Sequence, residues 1–181
     1  MDLRLKATAK EHFAKETGYV IKHGAKIRFA LCYPNRYQVG MSNLGMHIVY
    51  DILNKEPDIF CHQKSHTPLF SVETQRSLCD FDIVGFAVSF ELDYFHILEM
   101  LEVSSISLLA KERGEKEPFL IAGGPCATFN PEPLSPFFDA FIIGEGEAIM
   151  PKFMEIFRQG KGAGASRPEL LQKFSQAPGV Y

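Results

Sequence analysis

The sequence predicts an α/β domain built on a parallel sheet covered by helices. Short apolar runs of strand character recur at Ile27 to Cys32, Ile83 to Phe90, Phe119 to Ala122 and Phe141 to Ile143. Helical periodicity succeeds most of them. Parallel strands need crossovers long enough to reverse direction, and the intervening stretches supply that length. At 181 residues and 20.4 kDa, the chain is sized for one domain with a sizeable core.

Residues 1–24 carry Lys6, Lys10, Lys15 and Lys22 and read as a short polar helix or flexible lead-in. Leu3, Leu5, Phe13 and Val20 give it a poor apolar stripe. The first strand is bounded by Lys26 and the Tyr33-Pro34-Asn35 turn, where Pro34 restricts Tyr33 to extended geometry. After the polar loop Pro34 to Asn43, Leu44, His47, Ile48 and Asp51 recur at helical spacing. That predicts a helix over 44–55, capped by Ser42 or Asn43 and closed by Pro57.

A weaker strand is expected near Ile59 to His62, then an irregular or short extended segment through Phe70 to Glu73. The strand Ile83 to Phe90 is introduced by Asp80 and Asp82, and the next helix sets Tyr94, Ile97, Leu98 and Leu101 on one face. Phe119 to Ala122 comes after the polar run Lys111 to Glu117, and a helix over Ala148 to Phe157 comes after the last strand. Gly160 to Ser166, with three glycines and two alanines, reads as a linker, and the C-terminal helix beyond it is expected to be less firmly held than the sheet. Pro168 opens that short helix, which runs through Leu170, Leu171 and Phe174 and is ended by Pro178-Gly179. The expected division is a lead-in over 1–23, a domain over 24–159, and a linker with a short helix over 160–181.

A formal charge of -3, from 19 basic and 22 acidic residues, offers no broad counter-charge to nucleic acid, and no basic stripe interleaves with aromatics. Nucleic-acid binding is disfavoured. Cys32, Cys61, Cys79 and Cys126 lack the close pairing of a zinc module or iron–sulfur loop and read as core thiols of a reducing compartment. No apolar run approaches the roughly 20 residues that span a bilayer, so the protein reads as soluble and cytoplasmic.

In such a sheet, loops leaving the carboxyl ends of the strands converge on one edge. The candidates are Pro34 to Asn43, Ser89 to Asp93, Gly123 to Thr128 and Gly144-Glu145-Gly146-Glu147. Most informative is Ile121-Ala122-Gly123-Gly124-Pro125, where paired glycines place bare backbone open to a ligand or another chain segment. A tight turn needing positive φ explains those glycines as well. Glu145 and Glu147, beside a helix start, suit its orphan amides. Asn35 to Gly45 lacks the dinucleotide fingerprint, and no glycine-rich run leads to the Lys-Ser or Lys-Thr of a phosphate loop.

Asp93 and His96 could share a helix face but have no third ligand, and Ser89 has no sequence-specified base. His62 and His66 meet only if 61–67 is helical, which Pro68 opposes, and Glu132 between two prolines reads as a rigid turn. No catalytic residue and no metal ligand is assigned.

Taken together, Tyr33-Pro34-Asn35-Arg36-Tyr37-Gln38-Val39-Gly40-Met41-Ser42, Asp80-Phe81-Asp82-Ile83-Val84-Gly85-Phe86 and Phe90-Glu91-Leu92-Asp93-Tyr94 form a pattern. It continues through Gly123-Gly124-Pro125-Cys126, Asn130-Pro131-Glu132-Pro133-Leu134 and Gly144-Glu145-Gly146-Glu147. Over roughly residues 24–159 the chain resembles the N-terminal cobalamin-binding-like domain of B12-domain radical SAM proteins. The resemblance implies a flavodoxin-like three-layer fold with a five-stranded parallel sheet of order 2-1-3-4-5. It also implies a downstream radical SAM catalytic barrel as partner. Ala177-Pro178-Gly179-Val180-Tyr181 looks like the segment that precedes that barrel. S-adenosylmethionine and an iron–sulfur cluster belong to the absent barrel, since its cysteine triplet appears nowhere in this chain.

In cobalamin domains that ligate cobalt from below, the first loop carries Asp-x-His-x-x-Gly. Here Gly40 matches, while Asn35 and Tyr37 stand in place of the aspartate and histidine, and Gln38 is no substitute. The Ser-x-Leu element is represented by Ser89-Phe90-Glu91, and Gly123 and Gly124 match the later glycine motif. Ser105 and Ser107 replace the family's usual glycine and proline. The candidate cofactor contacts are therefore Asn35, Tyr37, Gly40, Ser42, Ser89, Glu91, Gly123, Gly124, Gly144 and Glu145, for a cobalamin without histidine lower ligation. The implied function is an accessory cofactor-binding-like or docking domain of a radical SAM enzyme. The alternatives are a structural or interaction domain with no bound cobalamin, and an independent small-molecule-binding enzyme.

Overall fold

The computed structural model describes residues 14, 17–67, 73–74 and 76–181. Strands β1 (Ile27–Arg36), β2 (Ile59–Thr67), β3 (Ile83–Ala87), β4 (Phe119–Gly123) and β5 (Ala140–Phe141) form a parallel sheet of order β2-β1-β3-β4-β5. This is the expected flavodoxin-like order. The helices are α1 (Tyr37–Met41), α2 (Leu44–Lys55), α3 (Asp93–Val103), α4 (Pro125–Phe129), α5 (Gly146–Gly162) and α6 (Arg167–Phe174).

Successive strand residues face opposite sides of the sheet, which splits the core in two. On one side Phe29, Leu31, Ile83 and Ile121 pack with Met46 and Leu53 of α2, Met150 and Phe153 of α5, and Leu170 and Phe174 of α6. On the other, Ala30, Val84, Phe86 and Leu120 pack with Ile97, Met100 and Leu101 of α3 and with Cys126 and Ala127 of α4. Because both faces are covered, the central strands read as continuous apolar runs.

Several boundaries differ from the sequence expectation. β1 continues through Pro34 to Arg36, with a register shift against β2 between Tyr33 and Arg36. Such an irregularity accommodates a residue without an N–H. Part of the expected first loop is helical, as α1. β2 extends to Thr67, whereas β3 ends at Ala87 and releases Val88 to Phe90 into an edge loop. Helix α2 has the expected bounds, and Asn43 caps it by accepting from the Met46 amide at 2.9 Å. Residues 17–26 contain neither helix nor strand. The rest of the N-terminal lead-in and most of the segment Phe70 to Glu73 lie outside the described residues.

The stretch Gly160 to Ser166, expected as a linker, begins as helix. Helix α5 runs through Gly162, and a Cβ on buried Gly160 would collide with the Leu170 side chain. Gly160 thus permits close packing of the two helices, while Gly162 and Gly164 have no atom within 4 Å of an added Cβ. Ser166 and Glu169 form a capping box at the start of α6, whose Phe174 is 1% exposed and stacks on Phe153 at 4.4 Å. Beyond it the chain returns to the sheet. Tyr181 and Phe141 exchange backbone hydrogen bonds of 2.9 and 2.7 Å, and Val180 bridges Ile142 in antiparallel sense, covering the β5 edge.

Phe174→Ala is expected to lower unfolding free energy by ~3–5 kcal/mol in urea denaturation, the usual cost of emptying a buried aromatic site. Hydrogen exchange should protect α6 about as well as β4. A loss below ~1 kcal/mol with early exchange of α6 would instead favour a loosely held C-terminal helix behind a linker.

Candidate functional site

The carboxyl ends of β1, β3 and β4 open onto a cavity of about 380 Å³ between the first turns of α2 and α5. Phe29, Leu31, Gly85 and Ile121 line it from the sheet, and Val49 and Met150 from the helices. Asn43, Ser89, Glu145 and Glu147 add polar groups from the edge loops and helix starts. An apolar interior with a few convergent polar groups is the usual character of a small-molecule site, and this volume lies at the low end of the range.

Local sequence explains the opening. An added Cβ at Gly85 would stand 2.7 Å from the Phe29 ring, so a glycine in mid-strand lets that ring approach the β3 backbone closely. Gly146 begins α5 and faces Val49 across the cavity, with a Cβ only 3.3 Å from its methyl. Glu147 sits in the first turn of α5 and answers its positive end, while Glu145 occupies the N-cap position without a side-chain cap.

Five candidate residues, Ser89, Gly123, Gly124, Gly144 and Glu145, line this cavity. The glycines differ in what they do. Gly124 has φ +101°, and a Cβ there would lie 2.8 Å from the Val88 carbonyl oxygen, so its close neighbour is protein backbone. Gly123 has ordinary φ and room for a Cβ at 3.6 Å from Ile142. Gly144 has φ +109° and donates its amide to Thr128 Oγ1 at 3.2 Å. Ser89 Oγ accepts from Asn43 Nδ2 at 3.4 Å, and among the described residues no base is hydrogen-bonded to it to make it a nucleophile.

The other candidates stand apart. Glu91 lines a second recess of about 200 Å³ with Tyr94, Cys126 and Phe129, and the two cavities share Ser89 and Pro125. Burial raises the Cys126 thiol above its ordinary pKa, which leaves it a poor nucleophile. Asn35 donates to Asp93 Oδ1 at 2.8 Å, and His96 Nδ1 lies 2.9 Å from the Pro34 carbonyl and 3.4 Å from the same carboxylate. These contacts pin the end of β1 to α3. Tyr37 is buried, Gly40 packs on Tyr33, and Ser42 Oγ donates to the Val39 carbonyl at 2.8 Å. Asn35, Tyr37, Gly40 and Ser42 do not line the cavity.

His62 and His66 lie on β2, so four residues separate them by ~13 Å along a strand. Among the described residues no group of three or more His, Cys, Asp or Glu is arranged to hold a metal ion, and no helix is long and apolar enough to cross a membrane. Glu132 sits in a 3₁₀ turn and accepts from the Tyr181 hydroxyl. Val49, Gly85 and Met150 are cavity residues that the strand-end rule does not single out. The isolated glycine inside Ile83–Ala87 is the one available signal.

Residues 45–181, well over half of the chain, match the family described as radical SAM proteins, N-terminal. An uncharacterized protein of Methanocaldococcus jannaschii is 28% identical over 125 residues, covering 68% of this chain and 25% of the relative. The chain thus spans about a quarter of the length of that relative. No solved structure matched.

The unequal glycines yield a test. Gly124→Ala should cost at least ~1 kcal/mol in urea denaturation, because it adds positive-φ strain to a backbone clash. Gly123→Ala should stay within about 1 kcal/mol of the parent chain. Equal costs would contradict the assignment of Gly124 to the Val88 contact.

Proposed function

This chain belongs to the family of N-terminal domains of radical SAM proteins, and on that premise we propose that it is the cofactor-seating module of a larger radical SAM enzyme. The cavity under the carboxyl edge carries this reading. Its apolar walls, Phe29, Leu31, Val49 and Ile121, suit the base of a corrinoid's nucleotide tail, and Ser89 and Asn43 supply hydrogen bonds for its polar part. A corrin ring exceeds about 380 Å³, so the residues fit the tail and leave the ring outside at the edge.

The first loop fits a corrinoid without a histidine beneath the metal. Tyr37 is buried where the imidazole would be needed, and His47 Nε2 is held 2.7 Å from the Met41 carbonyl. When bound, cobalamin supplies alkyl-transfer or one-electron chemistry at cobalt. The residues of this chain bind and orient it and keep water from the buried tail.

The same edge suits a docked catalytic domain. Phe90, Leu92, Phe95 and Phe129, on the edge loops and the ends of the adjoining helices, are 57–88% exposed. The downstream radical SAM domain is the proposed occupant, in keeping with a relative about four times as long as the matched region. S-adenosylmethionine and an iron–sulfur cluster are assigned to that domain, and the protein is placed in the cytoplasm. A purely structural role is the second reading, favoured by the packing of Gly124 against Val88 rather than against open space.

Calorimetric titration with hydroxocobalamin, on this chain and on its full-length parent, tests the proposal. Saturable binding is expected, abolished by Val49→Trp, which fills the cavity, while the melting temperature stays within a few degrees. Ser89→Ala should weaken binding roughly three- to tenfold. Absence of binding by both proteins would leave the structural reading, and a histidine-ligated cobalt spectrum would refute the proposed ligation.

A further inference from the structure

At the opposite, amino end of the sheet lies a separate cavity of about 350 Å³, lined by Lys22, His23, Lys26, Arg28, His62 and Arg76. No acidic residue lines it among the described residues, in a chain whose formal charge is -3. The acids nearest in space have partners of their own: Asp82 accepts from the Arg28 backbone amide at 2.8 Å, and the buried Glu73 carboxyl lies beside the His62 ring and accepts from the Gln63 amide at 3.0 Å. Arg158 of α5 holds Glu56 at 2.9 Å and Asp58 at 2.7 Å, and Lys161 holds Asp82 at 2.5 Å. Lys22 Nζ donates to the Glu56 and Ile59 carbonyls at 2.5 and 2.7 Å, partners that fix the ammonium without neutralising it. The side chains of Lys26 and Arg28 have no ion-pair partner among the described residues.

A second observation points to a ligand. His62, 1% exposed, lies in the wall, and its Nε2 has no hydrogen-bond partner among the described residues. Its other nitrogen is 3.1 Å from Thr74 Oγ1 and 3.8 Å from the buried Glu73 carboxyl. Buried polar atoms are rarely left without a partner. Burial, followed by the charges of Lys64, Arg76 and Arg28, pushes the imidazole down to about 3, so the ring is neutral and stands in a cationic surrounding. A neutral imidazole can donate from Nε2 to an oxygen anion when Nδ1 accepts from Thr74.

We propose that this amino-edge cavity is a binding site for a small phosphorylated molecule, whose phosphate is held by Lys26, Arg28 and the free nitrogen of His62. Phe60, which lines the same cavity and packs against the His62 ring at 3.8 Å, offers an apolar surface beside it. A cavity of this size takes a compact ligand rather than an extended polyanion. The site is independent of the carboxyl-edge cavity, with which it shares no lining residue.

Pyrophosphate and inorganic phosphate are the probes, titrated calorimetrically into the full chain in a buffer free of phosphate. Saturable pyrophosphate binding is expected, weakened roughly tenfold by Arg28→Gln or Lys26→Gln and unchanged by Lys152→Gln on the far surface of α5. In the wild-type chain, whose fold is not in question, pyrophosphate should also move the His62 ring nitrogen resonances. No saturable binding, equal weakening by Lys152→Gln, or unmoved His62 resonances at saturation would overturn the proposal. Preference for a short single-stranded oligonucleotide over pyrophosphate would overturn the small-ligand assignment.

Discussion

The contact between Gly124 and Val88 holds the carboxyl edge together. Val88 donates its amide to the Gly123 carbonyl at 2.8 Å and accepts from the Cys126 amide at 3.3 Å. Between these two bonds the backbone turns at Gly124 with φ +101°, close enough that a single methyl would meet the Val88 carbonyl. Two loops that leave neighbouring strands are thereby locked into one surface. Pro125 starts α4 immediately afterwards, its missing N–H costing nothing at the first helical position. Ser89, one residue past Val88, is set into the wall shared by both edge cavities. The site geometry arises from a steric constraint that only glycine satisfies.

The amino end depends on charge. Asp139, whose side chain is 1% exposed, accepts from the Leu120 amide at 2.7 Å and from Arg167 at 2.6 Å, with Arg113 Nε at 3.4 Å. Each arginine also donates to backbone carbonyls, Arg113 to Phe137 and Ser107, Arg167 to Glu117 and Pro118. Such contacts offset part of the desolvation of these buried ions. Asp139 Oδ1 and the Nε of both arginines have no hydrogen-bond partner among the described residues. The network ties α6 to the start of β4 and to the turn before β5, with the Arg167 guanidinium 4.3 Å over the Phe119 ring. The last helix is held by the sheet on which the edge cavity is built.

Central strands and α2 are legible in the sequence because their signals are local. Ile83–Ala87 and Phe119–Gly123 are apolar throughout, as strands covered on both faces must be, and Asn43 precedes a clear helical period. β2 is longer than its apolar start suggests because its later half, Gln63 to Thr67, is polar, with Lys64 buried against Phe81. The stretch 160–166 misleads for a related reason: composition signals freedom, whereas Gly160 is buried by a contact ten residues ahead. At the site, the glycines and Ser89 can be placed from the strand-end rule. The roles of Asn35 and Tyr37 cannot, since the first depends on Asp93, 58 residues away, and the second on burial.

Whether the carboxyl-edge cavity seats the tail of a corrinoid is tested most directly by methyl-resolved NMR of the labelled chain with hydroxocobalamin. Val49, Ile121, Ile142 and Met150 place methyl groups in the cavity wall. Their resonances should shift on binding, while those of Leu170 and Ile97, in the two cores away from the cavity lining, stay in place. Shifts confined to residues outside the cavity, or none at cobalamin concentrations that saturate the parent enzyme, would contradict a seated tail.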